Sequence, residues 1–300
     1  MMMRFVTILF FLFHAVCALA QTEEGLRTLN GTELYVKTVG TGSTIVIVHG
    51  GPGMNHTYFI PHLNALSQHH QVVYYDQRAS GKSSISEAIS LEAFVADLEA
   101  LRVSLGKEKI YLLAHSWGAI PAVSYAIAHP DRIEGIIFCN AVPLSKEYDG
   151  AMRQTQTDRT TGADSTDRSI LIGSPNFKAG KSSAYKKLLL LSFRHSFYKE
   201  ANFNKLDFDL PDNYPDASKA LYTGLGKELS AYDYYESLRS FSFPVLVLHG
   251  QVDAIPLSAS QRLADQVPNA TLEVFKKSGH FIFIEENTKF TSIVKRFINK

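Results

Sequence analysis

Ile110-Tyr-Leu-Leu-Ala-His-Ser-Trp-Gly118 is the stretch on which the fold turns. Ile110 to Ala114 is a short, nearly continuous apolar run, the pattern of a strand covered on both faces. Ala119 to Ala128 then reads as a helix, closed by His129-Pro130. Ser116 stands at the junction, with small residues two positions before it (Ala114) and two after it (Gly118). This is the spacing of the nucleophile elbow, G-x-S-x-G, with Ala114 in place of the first glycine. The serine occupies a sharp turn that lifts its hydroxyl above the sheet. The flanking residues must be small so that strand and helix can approach each other.

The same rhythm continues on both sides of this stretch. Glu33–Val39, Thr44–Val48, Val72–Tyr75, Gly135–Phe138, Pro244–Leu248 and Thr271–Phe275 read as strands. Leu91–Leu105, Ser258–Val267 and Glu286–Ile298 read as helices, the first with apolar residues at Leu91, Phe94, Val95, Leu98, Leu101 and Leu105. Alternating strands and helices predict an open, mostly parallel sheet covered on both faces. Residues 145–240 break the rhythm. They hold apolar helical clusters at 188–193 and 220–238 and no comparable buried strand, and the polar run 154–169 reads as a loop. The expected organisation is a core of residues 21–144 and 241–300 with a helical cap, 145–240, inserted between two strands.

A serine hydroxyl is a weak nucleophile near neutral pH. It needs a base, and the base needs an orienting acid. On an elbow of this kind the chain order is Ser, then Asp or Glu, then His. Asp253 follows the strand Pro244–Leu248, and His280 follows the strand Thr271–Phe275 in a Ser-Gly-His loop. His115 adjoins the nucleophile and is expected to point away from it. His249, at a strand end, reads as structural. The tetrahedral intermediate needs preorganised N–H donors. The backbone of Trp117 supplies one, and Gly51, in His49-Gly-Gly-Pro-Gly53, supplies the other. No G-x-G-x-x-G or G-K-[ST] pattern occurs in that loop, which separates it from phosphate-binding loops.

His49-Gly-Gly-Pro-Gly53, Asp76-Gln-Arg78 with Ser80-Gly-Lys-Ser83, and Ser116-Trp-Gly118, in this order, resemble the prolyl iminopeptidase family (peptidase family S33) of α/β hydrolases. The resemblance covers essentially the whole chain after residue 20 outside the cap. It implies an α/β-hydrolase fold, Ser116, Asp253 and His280 as the triad, and Gly51 and Trp117 as oxyanion donors. It also implies release of an N-terminal residue, proline favoured, from peptides or amides through an acyl-enzyme. The alternative is the same triad acting on small esters, lactones or amides without recognition of an amino end.

Ala79 and Ala114 stand where the family usually has glycine. Some members also carry an acid directly after the triad Asp, where this chain has Ala254. Binding an ammonium requires carboxylates, because a buried unpaired charge is costly. Glu200, Glu228 and Glu236 are the cap candidates, joined by Gly50 and Trp117 as further substrate-binding residues. A cap cluster that holds a Glu in some members is matched here by Arg194-His195-Ser196-Phe197-Tyr198.

Composition sets the remaining bounds. Lys+Arg is 30 and Asp+Glu is 29, a balance that argues against a nucleic-acid partner. Residues 1–20 have one early Arg, an apolar centre and Ala18-Leu19-Ala20, which together read as a secretory signal peptide cleaved before Gln21. The expectation is an exported protein with no stable membrane insertion after cleavage. Removal of the leader takes Cys17 with it and leaves Cys139 alone, so no internal disulfide is expected. The chemistry calls for no cofactor and no metal, and for a small-molecule or short peptide substrate.

Overall fold

The computed structural model describes residues 22–86 and 88–299, so the leader sequence lies outside the described residues. Eight strands form one sheet: β1 (Thr22–Leu29), β2 (Thr32–Val39), β3 (Thr44–Val48), β4 (Gln71–Tyr75), β5 (Ile110–His115), β6 (Ile133–Cys139), β7 (Val245–Gly250) and β8 (Ala270–Phe275). Their order is β1-β2-β4-β3-β5-β6-β7-β8. β1 and β2 pair antiparallel, β2 meets β4 antiparallel, and every pairing from β4 to β8 is parallel.

The helices are α1 (Leu91–Ser104), α2 (Ala119–Ala128), α3 (Asp149–Arg159), α4 (Gly162–Gly173), α5 (Pro175–Lys178), α6 (Ser182–Ser192), α7 (Tyr214–Leu225), α8 (Leu257–Gln266), α9 (Ile282–Glu285) and α10 (Asn287–Ile298). All five residues of β3 are buried. Alternation sends Val46 and Val48 into one core with Leu98 and Val123, and Ile45 and Ile47 into a second core with Phe290 and Val294. Two apolar layers therefore flank the sheet, which is why its central strands lack polar alternation. Each such side chain contributes roughly 1.5–3 kcal/mol when fully buried.

Three features depart from the sequence reading. β1 carries Glu23, Glu24 and Arg27 and is largely exposed, so it offers no apolar run; its hydrogen bonds to β2 alone make it a strand. The run 154–169 is not a loop but the end of α3 and the start of α4. Thr161 caps α4 in a reciprocal box with Asp164, which explains how so polar a segment is helical. The apolar cluster 220–238 is helical only to Leu225 and continues as short turns. Between β6 and β7 the described chain holds α3 to α7, with a single isolated bridge between Ser145 and Asp233.

Candidate active site

β5 ends at His115, and the chain turns through Ser116-Trp117-Gly118 into α2. Ser116 has φ +54°, in the left-handed region, where a non-glycine residue costs on the order of 1–2 kcal/mol. Surrounding contacts hold it there. The Val142 N–H donates to the Ser116 carbonyl at 3.1 Å. A side chain at Gly118 would place its Cβ 2.2 Å from the Val48 carbonyl oxygen, so this position accepts only glycine. Ala114 is completely buried between Val48 of β3 and Phe138 of β6.

Asp253 lies three residues beyond β7, and His280 in the loop after β8. His280 Nδ1–H donates to Asp253 Oδ2 at 2.8 Å. Asn140 Nδ2 donates to the same oxygen at 2.6 Å and to the Gly279 carbonyl at 3.1 Å. Burial opposes ionisation of Asp253, but the charge and hydrogen bond of His280, with help from His249 and Asn140, outweigh it. The pKa falls to about 2. Ser116, Asp253 and His280 line one cavity. Among the described residues no hydrogen bond joins Ser116 to His280; in unliganded enzymes that contact commonly tightens only with substrate present.

Asn140, just past β6 with φ +45°, is a member of this cluster that the sequence reading missed. The available signal was its place: a polar residue at the carboxyl end of a buried parallel strand, where open α/β sheets build their sites.

The base loop is also bound to the cap. His280 N–H donates to the Ser196 carbonyl at 2.8 Å. Glu285 accepts from the backbone N–H groups of Gly279, Tyr198 and Lys199. Phe197 stacks on Phe281, with ring centroids 5.1 Å apart.

His115 corrects an expectation. Instead of pointing away, it lines the cavity and is fully buried. Its Nε2 donates to the His280 carbonyl at 3.0 Å, and its Nδ1 lies 2.9 Å from the Tyr58 hydroxyl. That hydroxyl accepts the Gly50 N–H at 2.6 Å, so its own proton goes to His115 Nδ1. The chain of bonds therefore fixes His115 as the neutral Nε2–H tautomer. Burial lowers its pKa to about 3, and the neighbouring His280 adds to the effect. A neutral His115, with its ring centroid 4.8 Å from that of His280, leaves the positive charge to the base. Tyr58 thus joins the glycine loop to the base loop. Tyr58→Phe removes the partner of two buried groups, Gly50 N–H and His115 Nδ1. We expect a loss of about 1–3 kcal/mol in urea unfolding, and kcat roughly tenfold lower with KM within twofold. An unchanged kcat would show that the network does not position the loop.

In the glycine loop, Gly50 and Gly51 both line the cavity. The Gly50 N–H is engaged by Tyr58, whereas Gly51, at φ +133°, donates no hydrogen bond among the described residues. The Trp117 indole turns away from the cavity into the core and donates to Gln77 at 3.1 Å. Its side chain is therefore not a substrate contact, and any role of Trp117 belongs to its backbone. The Asp76-Gln-Arg78 motif is structural: Gln77 bonds His49 through both backbone and side chain, and Arg78 pairs with buried Asp97.

The cap acids also correct the sequence reading, since none of the three lines the cavity. Glu228 accepts the Leu91 N–H at 3.0 Å and caps α1, using its charge against the helix dipole. Glu236 is solvent-exposed beside Arg239, and Glu200 is exposed on a short turn. All three acids sit on short turns between helices, whose course over the cavity no periodicity in the sequence records.

The cavity, of about 520 Å³, instead receives Arg159, Arg168, His195 and Asp164 from the cap, with Ala254 beside the triad Asp. Asp164 is fully engaged by Thr161, Arg194 and His195, and the Thr161 and His195 bonds hold its carboxyl well below the usual carboxylate range.

The model of the alpha/beta hydrolase fold family matches residues 43–287. The chain is an α/β hydrolase. This hydrolase is 27% identical over 295 residues to a proline iminopeptidase of Clostridioides difficile, covering 92% of this chain and 98% of that protein. It is 26% identical over 289 residues to a proline iminopeptidase of Lactiplantibacillus plantarum, covering 90% and 98%. The resemblance to prolyl iminopeptidases thus extends over nearly the full length. Among solved structures, an α/β-fold hydrolase of Bacillus anthracis superposes with TM-score 0.70 at 21% identity, covering 92% of this chain and 99% of that one. An esterase of Exiguobacterium antarcticum superposes with TM-score 0.66 at 21% identity and the same coverage. The solved structures bear on the hydrolase's fold. Among its described residues, no helix is long and apolar enough to cross a membrane, and no group of three or more His, Cys, Asp or Glu could hold a metal ion.

Proposed function

We propose that this hydrolase cleaves small esters and amides through an acyl-enzyme on Ser116. The observation that carries the reading is Ser116 on a left-handed elbow, opening into the same cavity as a His280 already bonded to an ionised Asp253. In the first half-reaction the Ser116 proton passes to His280 Nε2 as the Ser116 Oγ–carbonyl carbon bond forms. His280 then protonates the leaving alcohol or amine as its bond to carbon breaks. In the second half-reaction water adds to the acyl carbon, gives a proton to His280, and the Ser116 Oγ–carbon bond breaks with return of that proton to the serine. The Gly51 and Trp117 backbone N–H groups serve the oxyanion in both halves.

The prolyl aminopeptidase reading is supported by the near-full-length relatives of that name. The cavity weighs against it, since Asp164 and Asp253 are both engaged and Ala254 offers no charge. Among the described residues, an incoming ammonium would meet no free carboxylate there. Comparing prolyl arylamide with short acyl 4-nitrophenyl esters and acyl lactones decides between the two. We expect ester turnover at a kcat/KM at least tenfold above that of the arylamide. Arylamide turnover matching the esters would reject our reading in favour of the aminopeptidase. We also propose export through the leader at residues 1–20. The intact mass of protein isolated from its host should correspond to a chain beginning at Gln21, and a chain retaining residues 1–20 would reject this.

A further inference from the structure

The cavity above Ser116 has an unbalanced set of charges. Among the described residues its two carboxylates are taken, Asp253 by His280 and Asn140, and Asp164 by Thr161, Arg194 and His195. Its two arginines are not. Arg159, the last residue of α3, and Arg168, on α4, both line the cavity, and among the described residues neither makes an ion pair. Arg159 is half-buried and donates from Nη2 to the backbone carbonyl of Asp253 at 3.1 Å. That bond holds its guanidinium against the triad and uses one of its five N–H donors. A guanidinium plane matches a carboxylate through two parallel hydrogen bonds and has a low hydration cost. Arg168 is solvent-exposed at the rim and Arg159 lies deeper, and two guanidinium groups without a carboxylate partner at one cavity raise the local concentration of anions and repel cations.

We propose that the substrate carries a carboxylate remote from its scissile carbonyl, and that Arg159 and Arg168 receive it. The proposal rests on the reading of Ser116 as the acylated nucleophile and names the substrate class of that same cavity. The cavity, at about 520 Å³, accommodates both ends of such a molecule, since small-ligand pockets span roughly 300–1,000 Å³. It also gives a reason for the engaged state of Asp164. Arg194 neutralises the cap carboxylate that would otherwise repel a bound anion, and His195 holds its second oxygen.

The test compares two esters of equal length, mono-4-nitrophenyl succinate and 4-nitrophenyl butyrate, each corrected for its uncatalysed hydrolysis. The wild type is expected to favour the succinate ester roughly tenfold or more in kcat/KM, and the Arg159→Gln/Arg168→Gln double variant to bring the ratio near one. Fluorophosphonate labelling of Ser116 supplies a readout independent of turnover. Millimolar glutarate should slow labelling of the wild type, 1,4-diaminobutane should not, and the double variant should label without protection by glutarate. Failure of the wild type to label would overturn the nucleophile reading and this proposal with it. Labelling of the wild type, with a succinate-to-butyrate ratio at or below one and no protection by glutarate, would overturn the carboxylate proposal alone. A ratio that survives in the double variant would also reject Arg159 and Arg168 as the receptor.

Discussion

Ser116→Ala is expected to lower kcat for ester hydrolysis on the order of 10⁶-fold, the size of loss seen when a triad nucleophile is removed. The reason is local. Ser116 carries the hydroxyl lifted into the cavity by the β5-to-α2 turn, at φ +54°. Alanine keeps the backbone and its strain, so folding should be nearly unaffected and the loss should be chemical. Hydrolysis measured under single-turnover conditions, beside a urea melt, separates the two. A variant retaining more than about one percent of wild-type kcat would reject Ser116 as the nucleophile, because a remaining oxyanion loop supplies only a small part of the acceleration.

Asp253→Asn should cost on the order of 10⁴-fold in kcat, again with the fold retained. Asp253 Oδ2 now accepts from both His280 and Asn140. An amide cannot satisfy both donors with one oxygen and keep its own N–H₂ group paired. His280 would turn its Nδ1 into an acceptor, and its Nε2, the atom that must receive the serine proton, would carry hydrogen instead. The acid also has a pH signature. Its pKa is lowered to about 2 in the fold, below the unfolded value near 4. Its stabilising contribution is therefore complete above pH 4 and is lost as pH falls through 2. Any loss of activity between pH 7 and 4 must come from groups other than Asp253. A kcat for Asp253→Asn within tenfold of wild type would reject this role.

What could be read from the sequence follows from how strongly chemistry constrains each residue. An acyl-transfer serine demands small neighbours and a strand-to-helix turn, so the elbow at Ser116 was visible from nine residues. The chain order expected of an acid and a base, each just beyond a buried strand, made the pairing of Asp253 with His280 readable as well. Asn140, Tyr58 and the true role of His115 were not. Each acts through partners 57 to 165 positions away, and no periodicity records such pairings. The cap showed the same limit. Its helical character was readable from apolar clusters at 188–193, yet the facing of Glu200, Glu228 and Glu236 was not, because each stands on a short turn whose direction is set by distant contacts and not by a local period. The edge strand β1 escaped because its order comes from hydrogen bonds to β2 rather than from burial.

The ties between His280 and the segment after α6 have a mechanical meaning. Ser196 holds the His280 N–H, Glu285 gathers three backbone donors from both sides, and Phe197 lies flat on Phe281. The segment after α6 and His280 are therefore fastened together: swinging that segment outward would carry His280 away from Ser116. α3 and α4 are fastened to the same loops, Arg159 through the Asp253 carbonyl and Asp164 through Arg194 and His195, so this side of the chamber is held by polar bonds rather than by buried apolar side chains.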